Sequence, residues 1–206
     1  AEPFRVWLED WSVTGEEMPG TAAVPVSGTT PYRKSPERLV AAAGDVQLDL
    51  RLTDVKGPVL QGDRGYSQKG EEATNASIYY SLTRMAATGT VVVRGKAYAV
   101  SGLGWMDHEY STSALGRDQV GWDWFSIQLD DQTELMVFQL RRADGSVDTF
   151  SSGTLIAEDG STRTLGPVDF TIAPAGEWRS PRSGGIYPAA WTVSVPSAGL
   201  TLDVTP

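Results

Sequence analysis

Asp107-His108-Glu109-Tyr110 sets two carboxylates, an imidazole and a phenol on successive positions, and His108 is the single histidine of the chain. Three of the seven tryptophans, Trp105, Trp122 and Trp124, fall in the same window, Ser101–Leu129. If the run is a strand, its side chains alternate. Trp105, Asp107 and Glu109 then share one face, and Met106, His108 and Tyr110 the other. Either set could do acid–base work. A carboxyl group in an aromatic, water-poor setting holds its proton to higher pH, and an imidazole titrates near neutrality unaided. Asp107, His108, Glu109 and Tyr110 are therefore the candidate catalytic groups. A plainer reading competes with this one: the two acids point outward and His108 is hydrogen-bonded inside a packed sheet, since structural pairs outnumber catalytic ones.

Other chemistries find less support. Zinc sites want more nitrogen or sulfur ligands than one histidine supplies, and strand alternation splits Asp107, His108 and Glu109, so no transition metal is expected. Ser111 and Ser113 lie near His108, but no Gly-x-Ser-x-Gly elbow occurs. The aromatic residues could line a cavity for an apolar or conjugated ligand, or form an ordinary barrel core with indoles at its rims. Asn75-Ala76-Ser77 matches a glycosylation sequon and reads as a chance match. The basic loop Arg179–Gly185 reads as a solvated turn, with a clamp over a cavity mouth as the alternative.

The elements that must position these groups read as strands. Ser101–Tyr110 and Val120–Leu129, joined by the loop Ser111–Gln119, suggest a hairpin. Phe4–Val13 alternates well enough for one strand, and Asp45–Thr53 alternates most clearly, with Val46, Leu48, Leu50 and Leu52 on one face. These two runs are expected to pair with each other. Further strands are placed at Ser77–Ala86, Gly89–Val93, Lys96–Gly102, Trp105–Tyr110, Gly121–Leu129, Glu134–Arg142, Val147–Ile156, Val168–Ala173, Ala189–Val195 and Leu200–Val204. Arg94-Gly95, Asp130-Asp131, Ala143-Asp144-Gly145 and Glu158-Asp159-Gly160 supply hairpin-turn chemistry. Thr14–Arg38 reads as a long loop and Val59–Ala76 as irregular. Pro36–Ala43 is the one helix candidate. The fold class is all-β, and a meander of this kind closes most easily as an antiparallel up-and-down barrel.

Composition narrows the partners. A net charge of −9 argues against nucleic acid and against docking on an anionic membrane surface. There is no cysteine, which removes disulfides, thiolate nucleophiles and cysteine-ligated metals. No apolar run is long enough for a transmembrane helix. The chain opens Ala-Glu-Pro-Phe without Met, so its N-terminus is expected to have been processed.

Four runs together carry a family resemblance: Leu60-Gln61-Gly62-Asp63-Arg64-Gly65, Asn75-Ala76-Ser77-Ile78-Tyr79-Tyr80-Ser81, Gly104-Trp105-Met106-Asp107-His108-Glu109-Tyr110 and Gly121-Trp122-Asp123-Trp124-Phe125. In this order they resemble the lipocalin-like AttH and carotenoid 1,2-hydratase family, whose bacterial members are often labelled predicted secreted hydrolases. The resemblance spans most of residues 4–206. Family members resemble two lipocalin-like barrels in tandem, and the Glu-Trp-Trp-Tyr type motif of their N-terminal half is absent here.

The resemblance implies a remnant of an N-terminal domain at 1–57 and a complete C-terminal barrel at 58–206. It implies an apolar isoprenoid- or lipid-like ligand, transformed without a cofactor by acid–base hydration or isomerisation, as a hydratase-like lyase. Asp107, His108, Glu109 and Tyr110 take the acid–base positions, and Trp105, Trp122, Trp124 and Tyr79 the ligand walls. A non-enzymatic lipid carrier and a secreted hydrolase are the alternatives. The implied setting is secreted or periplasmic, with membrane association an option. The implied partner is the missing N-terminal half or a second copy of the chain.

Overall fold

A computed structural model describes residues 5–8 and 11–15 as backbone, and residues 37–111 and 115–205 with their side chains. All the longer elements are strands, and their pairings are antiparallel. The chain divides into two compact units, each made of two segments. The first comprises Ala1–Val59 and Tyr80–His108, the second Leu60–Tyr79 and Glu109–Pro206.

The first unit holds β1 (Arg5–Leu8), β2 (Trp11–Gly15), β3 (Glu37–Ala43) and β4 (Val46–Asp54), in the order β1-β2-β3-β4. The next elements are β5 (Val59–Leu60) and β6 (Tyr66–Gln68), followed by two long strands, β7 (Ala76–Val93) and β8 (Lys96–Ser111). β7 is the hub: it pairs with β4, β5, β6 and β8. The turn between the long strands is set by Arg94 and Gly95, whose φ angles of 50° and 76° give the left-handed pair that a two-residue hairpin needs. Inside β7, Gly89 lies opposite Leu50, and a Cβ there would run into the Asp49 carbonyl. Side-chain alternation in β4 leaves Gln47, Asp49, Arg51 and Thr53 exposed and half-covers Leu48, Leu50 and Leu52. Leu39 and Ala41 of β3 stand opposite Leu50 and Leu48.

In the second unit, β9 (Gln119–Gln128), β10 (Glu134–Arg142), β11 (Ser152–Ile156) and β12 (Thr162–Leu165) form a sheet in the order β12-β11-β10-β9. β13 (Thr171–Ala175), β16 (Ala190–Val195) and β17 (Leu200–Val204) form a second sheet, while β14 (Trp178–Arg179) and β15 (Ile186–Tyr187) make a separate hairpin. Leu135 and Val137 of β10 pack with Leu165, Phe170, Ile172, Val193 and Val195 into one core, flanked by Phe125, Ile127 and Trp191. The other face of β10, carrying Glu134, Met136 and Phe138, is buried as well. A strand covered on both sides reads as an unbroken apolar run, which Leu135–Phe138 does at the centre of β10.

Several expectations are corrected by this architecture. No closed barrel forms among the described residues; the strands lie in separate antiparallel sheets, because the seam that would close a meander is not paired. Pro36–Ala43 is not a helix: residues 37–43 are β3, held between β2 and β4, and ladder pairing overrides the helix preference of its alanines. Phe4–Val13 is not one strand but parts of β1 and β2. Its β2 pairs with β3, which stands between it and β4, so the expected direct pairing with Asp45–Thr53 does not occur. The two runs around Ser111–Gln119 do not form a hairpin with each other: β8 pairs with β7, and β9 with β10. Ser77–Ala86 and Gly89–Val93 merge into β7, and Lys96–Gly102 and Trp105–Tyr110 into β8. Ser113 and most of the long loop Thr14–Arg38 lie outside the described residues.

Candidate functional site

The β8 run delivers its acids and its imidazole to different partners, as strand alternation requires. In the first unit, Asp107 Oδ1 accepts a hydrogen bond from Ser81 Oγ at 2.5 Å and another from Trp105 Nε1 at 3.0 Å. Trp105 lies two residues back on the same face. Ser81 is fully buried, whereas Asp107 is exposed, so the carboxylate is anchored from beneath and open above. His108 turns the other way. Its Nδ1 lies 2.7 Å from the Tyr80 hydroxyl, and the two rings are 5.0 Å apart between centroids and tilted by 42°. Both are half-buried. An imidazole and a phenol sharing one hydrogen bond can pass a proton between them, with donor and acceptor set by the tautomer.

A second cluster sits in the other unit, beginning at the next residue. Glu109 Oε1 accepts from Ser77 Oγ at 2.5 Å and lies 3.4 Å from Lys69 Nζ. Lys69 Nζ also donates to Ser67 Oγ at 2.9 Å and stands 3.9 Å from the Phe138 ring centroid and 5.4 Å from that of Tyr79. Trp124 Nε1 donates to the Tyr79 hydroxyl at 3.2 Å, and Trp124 lies directly opposite Phe138 across β9 and β10. Burial pushes the Lys69 ammonium below the ordinary lysine pKa, and the charge and hydrogen bonding of Glu109 offset part of that shift.

Sequence reading missed Lys69, because it falls in a polar, aperiodic stretch and its carboxylate partner lies far along the chain. The usable signal was the lysine's place just before Asn75–Ser81, the run that supplies Ser77 and Tyr79. Of the expected wall residues, Trp105 meets Asp107 and Tyr79 meets Trp124. Tyr79 is 2% exposed, whereas Tyr110 and Trp122 are 63% and 55% exposed. A cleft of about 590 Å³ in the second unit is lined by residues 70–72, 74, 75, 115–119, 142 and 148–150, and by none of the eight candidates. Among the described residues, no group of three or more His, Cys, Asp or Glu is placed to hold a metal ion. Among the described residues no helix is long and apolar enough to cross a membrane.

The family model for AttH-like proteins matches residues 1–206. The chain belongs to the AttH-like family. A solved relative, a candidate AttH from Nitrosomonas europaea, is 32% identical with a TM-score of 0.79 over 93% of this chain and 54% of its own. This AttH-like chain thus spans about half the length of that relative. Kievitone hydratase from Nectria haematococca, 14% identical, superimposes with a TM-score of 0.59 over 94% of this chain and 66% of its own, a likeness of fold alone. No curated protein matches the AttH-like sequence.

Proposed function

We propose that this chain binds an apolar isoprenoid- or lipid-like molecule and transforms it by cofactor-free, acid–base hydration or isomerisation, as a hydratase-like lyase. The observation that carries the reading is the His108–Tyr80 pair at 2.7 Å, on the same strand as an Asp107 carboxylate fixed by two donors. Membership in the AttH-like family and a fold shared with a hydratase support it.

Hydration of a carbon–carbon double bond needs a proton delivered to one carbon, water added to the resulting cation, and a proton removed from that water. The His108–Tyr80 couple delivers the first proton and, having given it up, takes the one released by the added water, since Asp107 and Trp105 lie on the opposite face of β8. Isomerisation uses the same couple without the water. His108→Gln keeps much of the shape and removes the imidazole that would carry the proton. Activity on an isoprenoid-type alkene should fall at least about tenfold, the low side of what acid–base groups contribute, with the melting transition intact. Unchanged turnover in this variant would sink the proposed role.

A carrier is the second reading, favoured by the exposure of Trp122 and Trp124. A carrier loses ligand affinity on Trp124→Ala and is indifferent to His108→Gln, which separates the two. The hydrolase reading draws less support: Tyr80 takes the imidazole Nδ1, and Ser77 and Ser81 donate to carboxylates. A secreted or periplasmic setting, and a site completed by further chain or by a second copy, are part of the proposal.

A further inference from the structure

In the second unit, β13 and β16 continue beyond their own sheet as the β14–β15 hairpin. We infer that this hairpin seats the protein on a lipid bilayer, at the depth of the headgroups. The inference is independent of the acid–base proposal.

β13 and β16 pair as far as Ala175 and Ala190, and the Ala189 N–H still donates to the Ala175 carbonyl at 3.2 Å. β17 flanks β16 only over Trp191–Val195, so the outer part is a ribbon of two strands. Its cross-strand pairs are Trp178 with Tyr187 and Arg179 with Ile186. Adjacent pairs point to opposite faces. One face therefore carries an indole and a phenol, 5.8 Å apart between ring centroids, and the other an aliphatic side chain beside a guanidinium. Trp178, Ile186 and Tyr187 are 53%, 52% and 51% exposed. The turn is held in one shape all the same. Ser180 N donates to Gly185 O and Gly184 N to Ser180 O, both at 2.9 Å, and Arg179 Nη1 donates to Gly184 O at 3.0 Å. A two-stranded hairpin in water is marginal by itself, and a medium that covers its apolar side chains stabilises it.

Apolar side chains on both faces decide the occupant. A protein groove covers one face of a ribbon, whereas the boundary layer of a bilayer surrounds it. Trp and Tyr favour that boundary, where the ring is sheltered and the N–H or O–H stays hydrated. The outward backbone groups of a ribbon need hydrogen-bond partners. Headgroups and water supply them and hydrocarbon does not, so the seat is interfacial. Charge fits the same surface. Residues 171–195 hold two arginines against one acid, Glu177, in a chain of net charge −9. Arg179 and Arg182 are exposed, and neither is paired with a carboxylate among the described residues. Lipid phosphates complement both. The net charge repels an anionic surface only at long range. In about 0.1 M salt, charges more than about 10 Å away are largely screened, which leaves the sign of the ribbon itself at the contact.

The test is co-sedimentation of the folded chain with extruded vesicles, of phosphatidylcholine alone and of phosphatidylcholine with phosphatidylglycerol, in about 0.1 M salt. The chain should pellet with the mixed vesicles, its tryptophan emission shifted to the blue, and should bind phosphatidylcholine alone more weakly. The double variant Trp178→Ser, Tyr187→Ser should weaken binding to the mixed vesicles at least about tenfold, since it removes the aromatic face. Arg182→Glu, at an exposed turn position, should weaken it at least about fivefold, the effect of one basic side chain near an anionic surface, and leave binding to phosphatidylcholine alone unchanged. It decides the matter alone if the double variant loses its melting transition. The inference is overturned if the chain stays in solution beside the mixed vesicles, or if either folded variant binds them as the parent chain does. It is equally overturned if the chain sediments as a dimer that the double variant breaks, since the ribbon then belongs to a second copy.

Discussion

Asp107 and Glu109 stand two residues apart on one strand, carry the same functional group, and each accepts a serine hydroxyl at 2.5 Å. Their remaining partners differ in kind. Asp107 adds a neutral indole N–H, and Glu109 adds an ammonium group lodged over a phenylalanine ring. The first arrangement fixes a carboxylate through neutral donors. The second spends the charge on compensating a buried cation. Residue type alone makes both catalytic candidates; their partners tell the two apart.

Truncating the two acids should break this symmetry most visibly. Glu109→Ala strands the Lys69 ammonium, whose side chain is only 14% exposed. The expected loss is about 2 kcal/mol, below the range for a fully buried pair because Glu109 is partly solvated. Asp107→Ala leaves Ser81 and Trp105 without their shared acceptor at an exposed position and should cost about 1 kcal/mol. Urea unfolding of both variants checks the order. An Asp107→Ala variant less stable than Glu109→Ala would reverse this ranking.

A smaller effect appears in pH dependence. Lys69 has its pKa lowered, chiefly by burial, so between its folded and unfolded pKa values the unfolded chain binds more protons. Its contribution to stability therefore rises with pH through that alkaline window. In Lys69→Met the rise should vanish, as urea midpoints taken from neutral pH to about pH 10 would report, since the unfolded lysine pKa is about 10.4.

Glu37, in the first unit, gives the mirror case and the smallest effect. Burial raises its pKa, and the neighbouring charge of Asp54 adds to the shift. Stability is then full below the unfolded glutamate pKa and declines as pH rises through the raised value. Glu37→Gln should flatten that decline and move the neutral-pH midpoint slightly upward. A downward shift would mean that the ionised carboxylate is a favourable partner.

How much of this was legible in the sequence depends on whether the signal was local. β10 and β17 run over Glu134–Arg142 and Leu200–Val204, as read from their apolar runs and flanking turn residues. The Arg94-Gly95 hairpin was legible for the same reason. Sheet closure was not, because it depends on pairing between distant strands. Pro36–Ala43 misled because a short stretch with three alanines satisfies a helix pattern, whereas its strand state is imposed by both neighbours. Within the site, the alternation that separates Asp107 from His108 was readable. Their partners Ser81 and Tyr80, and the Lys69 that claims Glu109, come from elsewhere in the chain and carry no local mark.

The two long strands β7 and β8 change unit part-way along, so neither unit is a contiguous stretch of chain. This sets an order for assembly on the ribosome. The first unit has all its segments once residue 108 has emerged. The segment Leu60–Tyr79, already outside by then, belongs to a unit whose remainder, Glu109–Pro206, is still being made. At about 5–20 residues per second that wait lasts roughly 5–20 s. For the first part of it, roughly 1.5–6 s until residue 138 has been added, Tyr79 and the apolar stem of Lys69 lack Phe138, and the nascent chain presents an unfinished strand edge of the kind chaperones recognise.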